Sequence, residues 1–474
     1  MAGTLSCDVA VIGAGTAGLA AERSARGNGA STLLIDPEFS GTLCANTGCM
    51  PSKLLIAAAK ELHRIGKADL FGIEVVDVRV DSQAVMQRVR SERDRFARLT
   101  RESIEELPDG IRIKSRARFE GPNRLKLDDG RVIEAKTIVI ATGASPSLPQ
   151  PFEALGDRVV THESVFELED LPRRLAVIGS GAIGLELAQA FSHLGVAVTL
   201  FDKGERMGKV RCPKVHETLC EVFDGDMTVR LGVDVEPERI DSGVCVRWSG
   251  KDSDDHGGEA EFDLLLAALG RPPQLEGLDL EKADLECDEH GVPCHDRETM
   301  RCGDSGVFLA GDAAADLPLL HEASHDGAIA GRNAAAFPAP IKTERNVPFS
   351  ITFTEPTLAS IGSAENEGAV TGTADYGDQG RARVEGRNEG TLTLYAAAPE
   401  GRLIGADLMA PDGEHLAHIL AWAIQTETTA RELLEMPFYH PTIEEGLKSA
   451  LRTICAATPI PLPQDQDTGS PAGA

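Results

Sequence analysis

An α/β fold with two repeated doubly wound units and a smaller α+β unit at the C-terminal end is predicted by three features of the 474-residue sequence. Near the start, the apolar run DVAVI leads into GAGTAG, then a small-residue stretch, LAAERSAR, then STLLID. From 175 the same order returns as LAVIGSGAIGLELAQAFSHLGVAVTLFD. From 346 the chain alternates apolar and polar residues, turns at EGRNEG, alternates again, and closes with two helix-like stretches, EHLAHILAWAIQ and TARELLE. Strand, glycine turn, helix and strand in that order make a βαβ unit. We therefore read two Rossmann-like dinucleotide-binding domains followed by an α+β domain.

The glycine turns carry the first chemistry. Gly13, Gly15 and Gly18 stand at the GxGxxG spacing, which permits a tight turn and lets backbone amides approach a pyrophosphate at a helix N-terminus. Asp36 ends the next strand, where a carboxylate can accept from a ribose hydroxyl pair. Gly179, Gly181, Gly184 and Asp202 repeat the arrangement. Gly13 to Asp36 and Gly179 to Asp202 each span 23 residues, and the repeat implies two nucleotides per chain. A lone GxGxxG means little; its strand, helix and acid make it specific. Asp202 repels a 2′-phosphate and suits a free 2′-hydroxyl, so NAD(H) is expected over NADP(H), against the pull of Lys203 and Arg206.

Composition excludes several classes. With 75 Asp+Glu against 47 Lys+Arg and a net charge of −28, no basic face for nucleic acid or an anionic membrane is expected. The excess carboxylates read as solvated surface. The ten cysteines are scattered, unlike a disulfide scaffold. Cys287, Cys294 and Cys302 with His290 and His295 match no zinc template, and no metal is expected. No leader segment and no apolar run near the roughly 20 residues of a membrane span are visible, so a cytoplasmic protein is expected.

Between the motifs, residues 60–107 read as helical and 110–135 as a small antiparallel sheet. Residues 137–143, TIVIATG, form a buried strand, and a Pro-rich crossover puts a boundary near 148. Residues 208–262 read as a helix and a meander with a polar loop, KDSDDHGGEAE, and LLLAALGRPP follows as a buried strand. VFLAGDAAA at 307–315 ends a strand in Gly311-Asp312 ahead of a further helix, and 456–474 is a polar, Pro-rich tail expected to be disordered.

The chain is organised around residues 41–53, GTLCANTGCMPSK, where Cys44 and Cys49 stand five apart with Gly48 between them and Pro51, Ser52 and Lys53 behind. LLIAAAKELHRI follows as an apolar helix, so the thiols lie at or near a helix N-terminus, which favours thiolate. Thiols so placed can form and break a disulfide. The string resembles the redox-active disulfide of the class I pyridine nucleotide–disulfide oxidoreductases, and its PSK ending is similar to that of the lipoamide dehydrogenases or of the mercuric reductases. The resemblance covers about residues 5–453.

The resemblance implies FAD on the first glycine motif and NAD on the second. It implies that Thr142 and Gly143 pass close to FAD, that Gly311 and Asp312 form a second FAD signature with Asp312 facing the ribityl chain, and that Gly270 closes the NAD domain beside the nicotinamide. The implied domains are 1–148 and 276–345 for FAD, 149–275 for NAD, and 346–455 for dimerisation. Lys53 and Glu186 are implied to pair beside the flavin, where lysine stabilises charge on the reduced ring. His440 is followed five residues later by Glu445, at the spacing of the family's histidine–glutamate pair. Imidazole can take a proton from a thiol, with the carboxylate orienting it. In the family this pair serves the disulfide of the other subunit, so a homodimer is implied, with a lipoyl domain or lipoate-carrying protein as substrate.

Some positions depart from the family. Leu43 replaces the usual Thr before Cys44, and Ala45 and Thr47 are unusual between the cysteines. Mercuric reductases need a C-terminal cysteine pair, whereas the tail region offers Cys455 alone. Reduction of a glutathione-like disulfide is the rival enzymatic reading. A lipoyl-protein-binding subunit that keeps flavin with little turnover is the rival of another class.

Overall fold

The computed structural model describes residues 3–250, 257–364 and 368–459. The chain sorts into two compact units, Met1–Pro51 with Gln87–Ser147 and Leu269–Arg345, and Ser52–Met86 with Leu148–Ala268 and Asn346–Ala474.

The first unit is built on a seven-stranded sheet. Thr4–Ile12 lies between Thr32–Asp36 and Val132–Ile140, parallel to both, and Arg112–Lys114 extends the sheet beyond Thr32–Asp36. Val9, Ala10, Val11 and Ile12 are all buried, as expected of a parallel strand covered on both faces. Helices Thr16–Gly27 and Leu320–Ala336 pack at backbone contact: a Cβ on Gly327 would stand 2.1 Å from the Ala17 carbonyl oxygen, and one on Gly331 2.1 Å from that of Ala21.

Two expectations are corrected here. The antiparallel strands Ala117–Gly121 and Arg124–Leu127 do not make a separate small sheet. Val132–Ile140 is one strand that pairs antiparallel with Arg124–Leu127 through its first residues and parallel with Val307–Leu309 through its last. No Gly or Pro interrupts VIEAKTIVI, so one strand can serve both. Nor is 60–107 continuously helical: the helix Cys49–Gly66 stops, a short 3₁₀ turn spans Ala68–Phe71, and the next helix is Ser82–Glu105. Gly72 takes φ 71°, and the β-branched run Ile73, Val75, Val76, Val78 resists the helix that the flanking residues favour.

In the second unit, five parallel strands run in the order Thr228–Arg230, Ala197–Phe201, Arg174–Ile178, Leu264–Ala267, Val159–Val160. The expected meander is Val233–Ile240, Gly243–Gly250 and Gly258–Phe262. Of the expected polar loop, 251–256 lies outside the described residues. The α+β part is an antiparallel sheet in the order Phe349–Thr352, Thr357–Gly362, Arg402–Ala410, Thr391–Ala397, Val370–Asp375. Helices Gly413–Gln425 and Leu447–Ala457 bury Leu416, Leu420, Leu447 and Leu451 in its core. The expected tail lies outside the described residues from 460 onward. Among the described residues no helix is long and apolar enough to cross a membrane.

Candidate active site

In the first unit a cleft of about 210 Å³ gathers the first glycine motif, both motif cysteines and three later segments. Gly13 takes φ 102°, and a Cβ there would stand 2.3 Å from the Ala141 carbonyl oxygen. A Cβ on Gly18 would stand 1.8 Å from the Gly13 oxygen, so these two glycines are needed for the turn itself. Gly15 differs: it caps the helix Thr16–Gly27, and nothing lies within 4 Å of an added Cβ. It leaves the helix N-terminus open to a ligand.

Asp36 does more than its position in the sequence suggested. Its Oδ2 accepts from the Ala14 amide at 3.0 Å, and its Oδ1 accepts from the amides of Glu38 and Phe39 at 2.9 and 2.7 Å. The carboxylate thus holds the glycine turn to the strand end while lining the cleft.

Thr142, Gly143, Gly311 and Asp312 converge on the same place. Thr142, Gly143 and Asp312 line the cleft, while Gly311, at φ 69°, begins the turn carrying Asp312 and accepts no Cβ without approaching Ala17 to 2.7 Å. Asp312 Oδ2 accepts from Arg271 Nη2 at 2.8 Å. Arg271 is a cleft residue that sequence reasoning passed over, although the GRPP string carried it. Gly270, expected beside the nicotinamide, sits in the first unit, where its carbonyl accepts from the Ser147 amide at 3.0 Å.

Two buried polar atoms in this cleft, Thr142 Oγ1 and Arg271 Nε, have no hydrogen-bond partner among the described residues. Buried polar atoms in a native fold are usually met by a protein group, a water or a ligand. Together with the open positions at Gly15 and Gly143, they fit a polar dinucleotide bearing a flavin.

The cysteines enter the cleft on adjacent turns. Thr42 caps the short helix Leu43–Asn46, its side chain accepting from the Ala45 amide at 3.4 Å, and Cys44 lies half-buried on that turn. Cys49 is the first residue of the helix Cys49–Gly66, with its exposed sulfur at the positive end of the helix dipole. Pro51 falls within the first turn, where its missing N–H costs nothing. A Cβ on Gly48 would stand 2.9 Å from Leu43 Cδ2 and 3.3 Å from Cys44 Cα. Glycine is what lets the two turns close.

In the second unit, Lys53 Nζ lies 2.7 Å from Glu186 Oε2. The other Glu186 oxygen accepts from the Phe353 amide at 2.9 Å, and the Phe353 ring lies 4.4 Å under Lys53 Nζ. The pair is thus met, with Phe353 as a third member that no sequence motif announced. The second glycine turn copies the first. Gly179 takes φ 106°, a Cβ on Gly184 would stand 1.9 Å from the Gly179 oxygen, and Gly181 caps the helix Ala182–His193 with open space before it. Asp202 accepts from the Ser180 amide and hydroxyl, each at 2.6 Å, and from the Gly204 amide at 2.7 Å. Arg206 Nη2 donates to the carbonyls of Val210 and Arg211 at 3.1 and 3.3 Å.

His440 Nδ1 faces Glu445 Oε2 at 2.9 Å, and the histidine side chain is 59% exposed. Burial works against the Glu445 carboxylate, but Lys448, the Thr442 amide and His440 outweigh it and hold the carboxyl below its usual range. Lys448 Nζ, 3.1 Å from Glu445 Oε1, was missed by sequence reasoning.

The cysteines at 287, 294 and 302 do not group with His290 or His295 as metal ligands: burial, with the two neighbouring thiols, pushes Cys302 up to about 12, and His295 pairs with Asp316. Sequence reasoning also missed a group of His63, His193 and Asp226, whose members are too far apart in the chain to leave a spacing signal.

The pyridine nucleotide-disulphide oxidoreductase family model matches residues 7–327, and its dimerisation domain matches 348–451. The chain is 31% identical over 471 residues to the dihydrolipoyl dehydrogenase of Chlamydia muridarum, spanning 96% of this chain and 98% of that protein. It is 30% identical to the dihydrolipoyl dehydrogenase of Bacillus subtilis, over 94% and 97% of the two chains. The corresponding Haloferax volcanii protein is 29% identical over 94% and 95%. The fold is that of the HOCl-induced flavoprotein disulfide reductase RclA from Escherichia coli, solved as a Cu(II) complex, with a TM-score of 0.80 at 21% identity over 94% of this chain and 99% of that one. Redox-motif cysteines beside a cleft fit for flavin, a second nucleotide turn and near-complete coverage by relatives lead to one conclusion: this chain is a member of the pyridine nucleotide-disulphide oxidoreductase family and a flavin-dependent disulfide oxidoreductase.

Proposed function

We propose that this protein is a dihydrolipoyl dehydrogenase, oxidising a protein-bound dihydrolipoyl group to the disulfide and reducing NAD⁺ to NADH. The observation that carries the reading is the placement of Cys44 and Cys49 on one cleft with the unpartnered Thr142 and Arg271 atoms, in a chain whose relatives bear that name over nearly their whole length. FAD would be held by Gly13, Gly15, Gly18, Asp36, Thr142, Gly143, Gly311 and Asp312; NAD by Gly179, Gly181, Gly184 and Asp202. Bound there, flavin supplies two-electron exchange between thiols and nicotinamide.

The residues of the chain do the rest. Glu445 holds His440 by Nδ1, leaving Nε2 to take the first substrate thiol proton. The substrate thiolate attacks Cys44 Sγ of the oxidised pair, the Cys44–Cys49 bond breaks, and Cys49 leaves as a thiolate at its helix end. The second substrate thiol, deprotonated in turn, displaces Cys44 from the mixed disulfide. Substrate leaves as a disulfide, oxidised by two electrons, and the protein pair is left reduced. Glu186 holds Lys53 in place.

The dimerisation-domain match supports a homodimer in which His440 and Glu445 of one copy serve the cysteines of the other. Domains at 1–148 with 276–345, at 149–275 and at 346–455 belong to the same reading. NAD is favoured over NADP because Asp202 is an anion at the ribose position and Arg206 is engaged by two carbonyls. Steady-state rates with dihydrolipoamide and with glutathione disulfide, each with both nicotinamide cofactors, test the whole. Dihydrolipoamide with NAD⁺ should be the efficient pair. Faster glutathione disulfide reduction would overturn the substrate, and a preference above tenfold for the phosphorylated cofactor would overturn the nucleotide.

A further inference from the structure

The helix that begins at Cys49 ends in a second cluster of titratable groups. His63 stacks on His193 with ring centroids 3.9 Å apart and planes at 21°. His193 Nε2 lies 3.1 Å from Asp226 Oδ2. One ligand atom from each of the three lies within 4.8 Å of the other two. They come from three helices, Cys49–Gly66, Ala182–His193 and Pro213–Asp226, and the last two supply their final residues. All three side chains line an open cleft of about 800 Å³.

A hydrogen-bond contact accounts for His193 and Asp226 but leaves His63 unexplained. Its ring is half-buried against another imidazole, and among the described residues its nitrogens make no hydrogen bond. A polar ring removed from water without a partner is a cost. Asp226, meanwhile, is aimed: Gln189 Nε2 donates to its Oδ2 at 2.9 Å, and Ser192 Oγ donates to its carbonyl at 2.6 Å. Such supporting bonds orient ligands in metal sites.

We propose that His63, His193 and Asp226 bind one divalent transition cation of the imidazole-seeking class, represented by Zn(II) or Cu(II). Two nitrogens and one carboxylate oxygen suit those ions, whereas Mg(II) and Ca(II) take oxygen throughout. Three protein ligands leave a fourth position facing the cleft. Lys60, on the same helix, is neutralised by Glu355 at 2.8 Å. The stacked rings direct their nitrogens past one another, so binding turns the more exposed His63 about its side-chain bonds. His63 is 14 residues from Cys49, about 21 Å along the helix, so the ion does not reach the redox sulfurs. Lys53 and Glu186 already tie these same two helices, and the cation adds a second tie.

The inference stands apart from the choice of dithiol substrate, and its test needs no turnover. The flavin-loaded full chain carrying Cys44→Ser, Cys49→Ser, Cys287→Ser and Cys294→Ser, which removes the redox pair and the exposed thiol pair as competing ligands, is dialysed against Zn(II) alone and the bound metal is counted. Cu(II) alone is followed in parallel by electron paramagnetic resonance. One ion per chain is expected, with Cu(II) coupled to two nitrogens. His63→Gln should weaken binding at least tenfold and reduce the coupling to one nitrogen, and Asp226→Asn should weaken binding while keeping two. Flavin content and circular dichroism check that each variant folds. Failure of the parent to bind, equal binding in His63→Gln, or a parent spectrum without two-nitrogen coupling would overturn the site.

Discussion

In the proposed cycle Cys49 and His440 carry the residue-scale chemistry, and each has its own readout. On two-electron reduction, a thiolate at Cys49 beside oxidised flavin gives a long-wavelength absorption band. Cys49→Ser should remove it, and survival of the band would reverse the cysteine roles. His440→Ala should slow dithiol oxidation by about 10²- to 10⁴-fold while sparing flavin reduction by NADH. The two half-reactions, measured by stopped flow, separate a lost base from a damaged fold. Glu445 ties this chemistry to stability. Its folded carboxyl titrates below the ordinary glutamate range, so its contribution is fully present above that range and is lost as acid protonates the folded carboxyl. Lys448→Met removes one of the groups holding the charge and should flatten the loss of urea stability on acidification below about pH 4.5.

At the scale of elements, the two glycine turns and the small-residue helices were legible because glycine and alanine are required by backbone contact. Gly327→Ala would drive a Cβ to 2.1 Å from the Ala17 oxygen and should cost about 1–3 kcal/mol, read by chemical denaturation. Gly27→Ala, with nothing within 4 Å, is the control and should be neutral or slightly stabilising. The break after Gly66 was harder to see. Its flanks favour helix, and the β-branched run at 73–78 competes only weakly in the sequence. The strand Val132–Ile140 was read in two pieces because period-2 patterning does not show that one strand can have different neighbours at its two ends.

Across the whole molecule, a net charge of −28 means self-repulsion in the folded state. Salt screens it, so the melting temperature should rise between about 0.05 and 1 M NaCl, where the Debye length falls from about 14 to 3 Å. A flat or falling curve would show that the carboxylates are offset locally by pairs such as Arg345 with Glu322 and Asp326. The sequence by itself determined what depends on residue order over short spans: two βαβ units, a cysteine pair beside a helix start, and a histidine five residues before its glutamate. Local chain geometry dictates the βαβ units, so their spacing reports them, whereas the cysteine pair and the histidine–glutamate pair were legible through their resemblance to the family's motifs. Only the tertiary structure decided what rests on distant segments meeting: Phe353 beneath Lys53, Arg271 on Asp312, and His63 against His193 and Asp226. Even the short-range Lys448–Glu445 pair was silent beforehand, because a lysine three residues along a helix is ordinary until its carboxylate is buried.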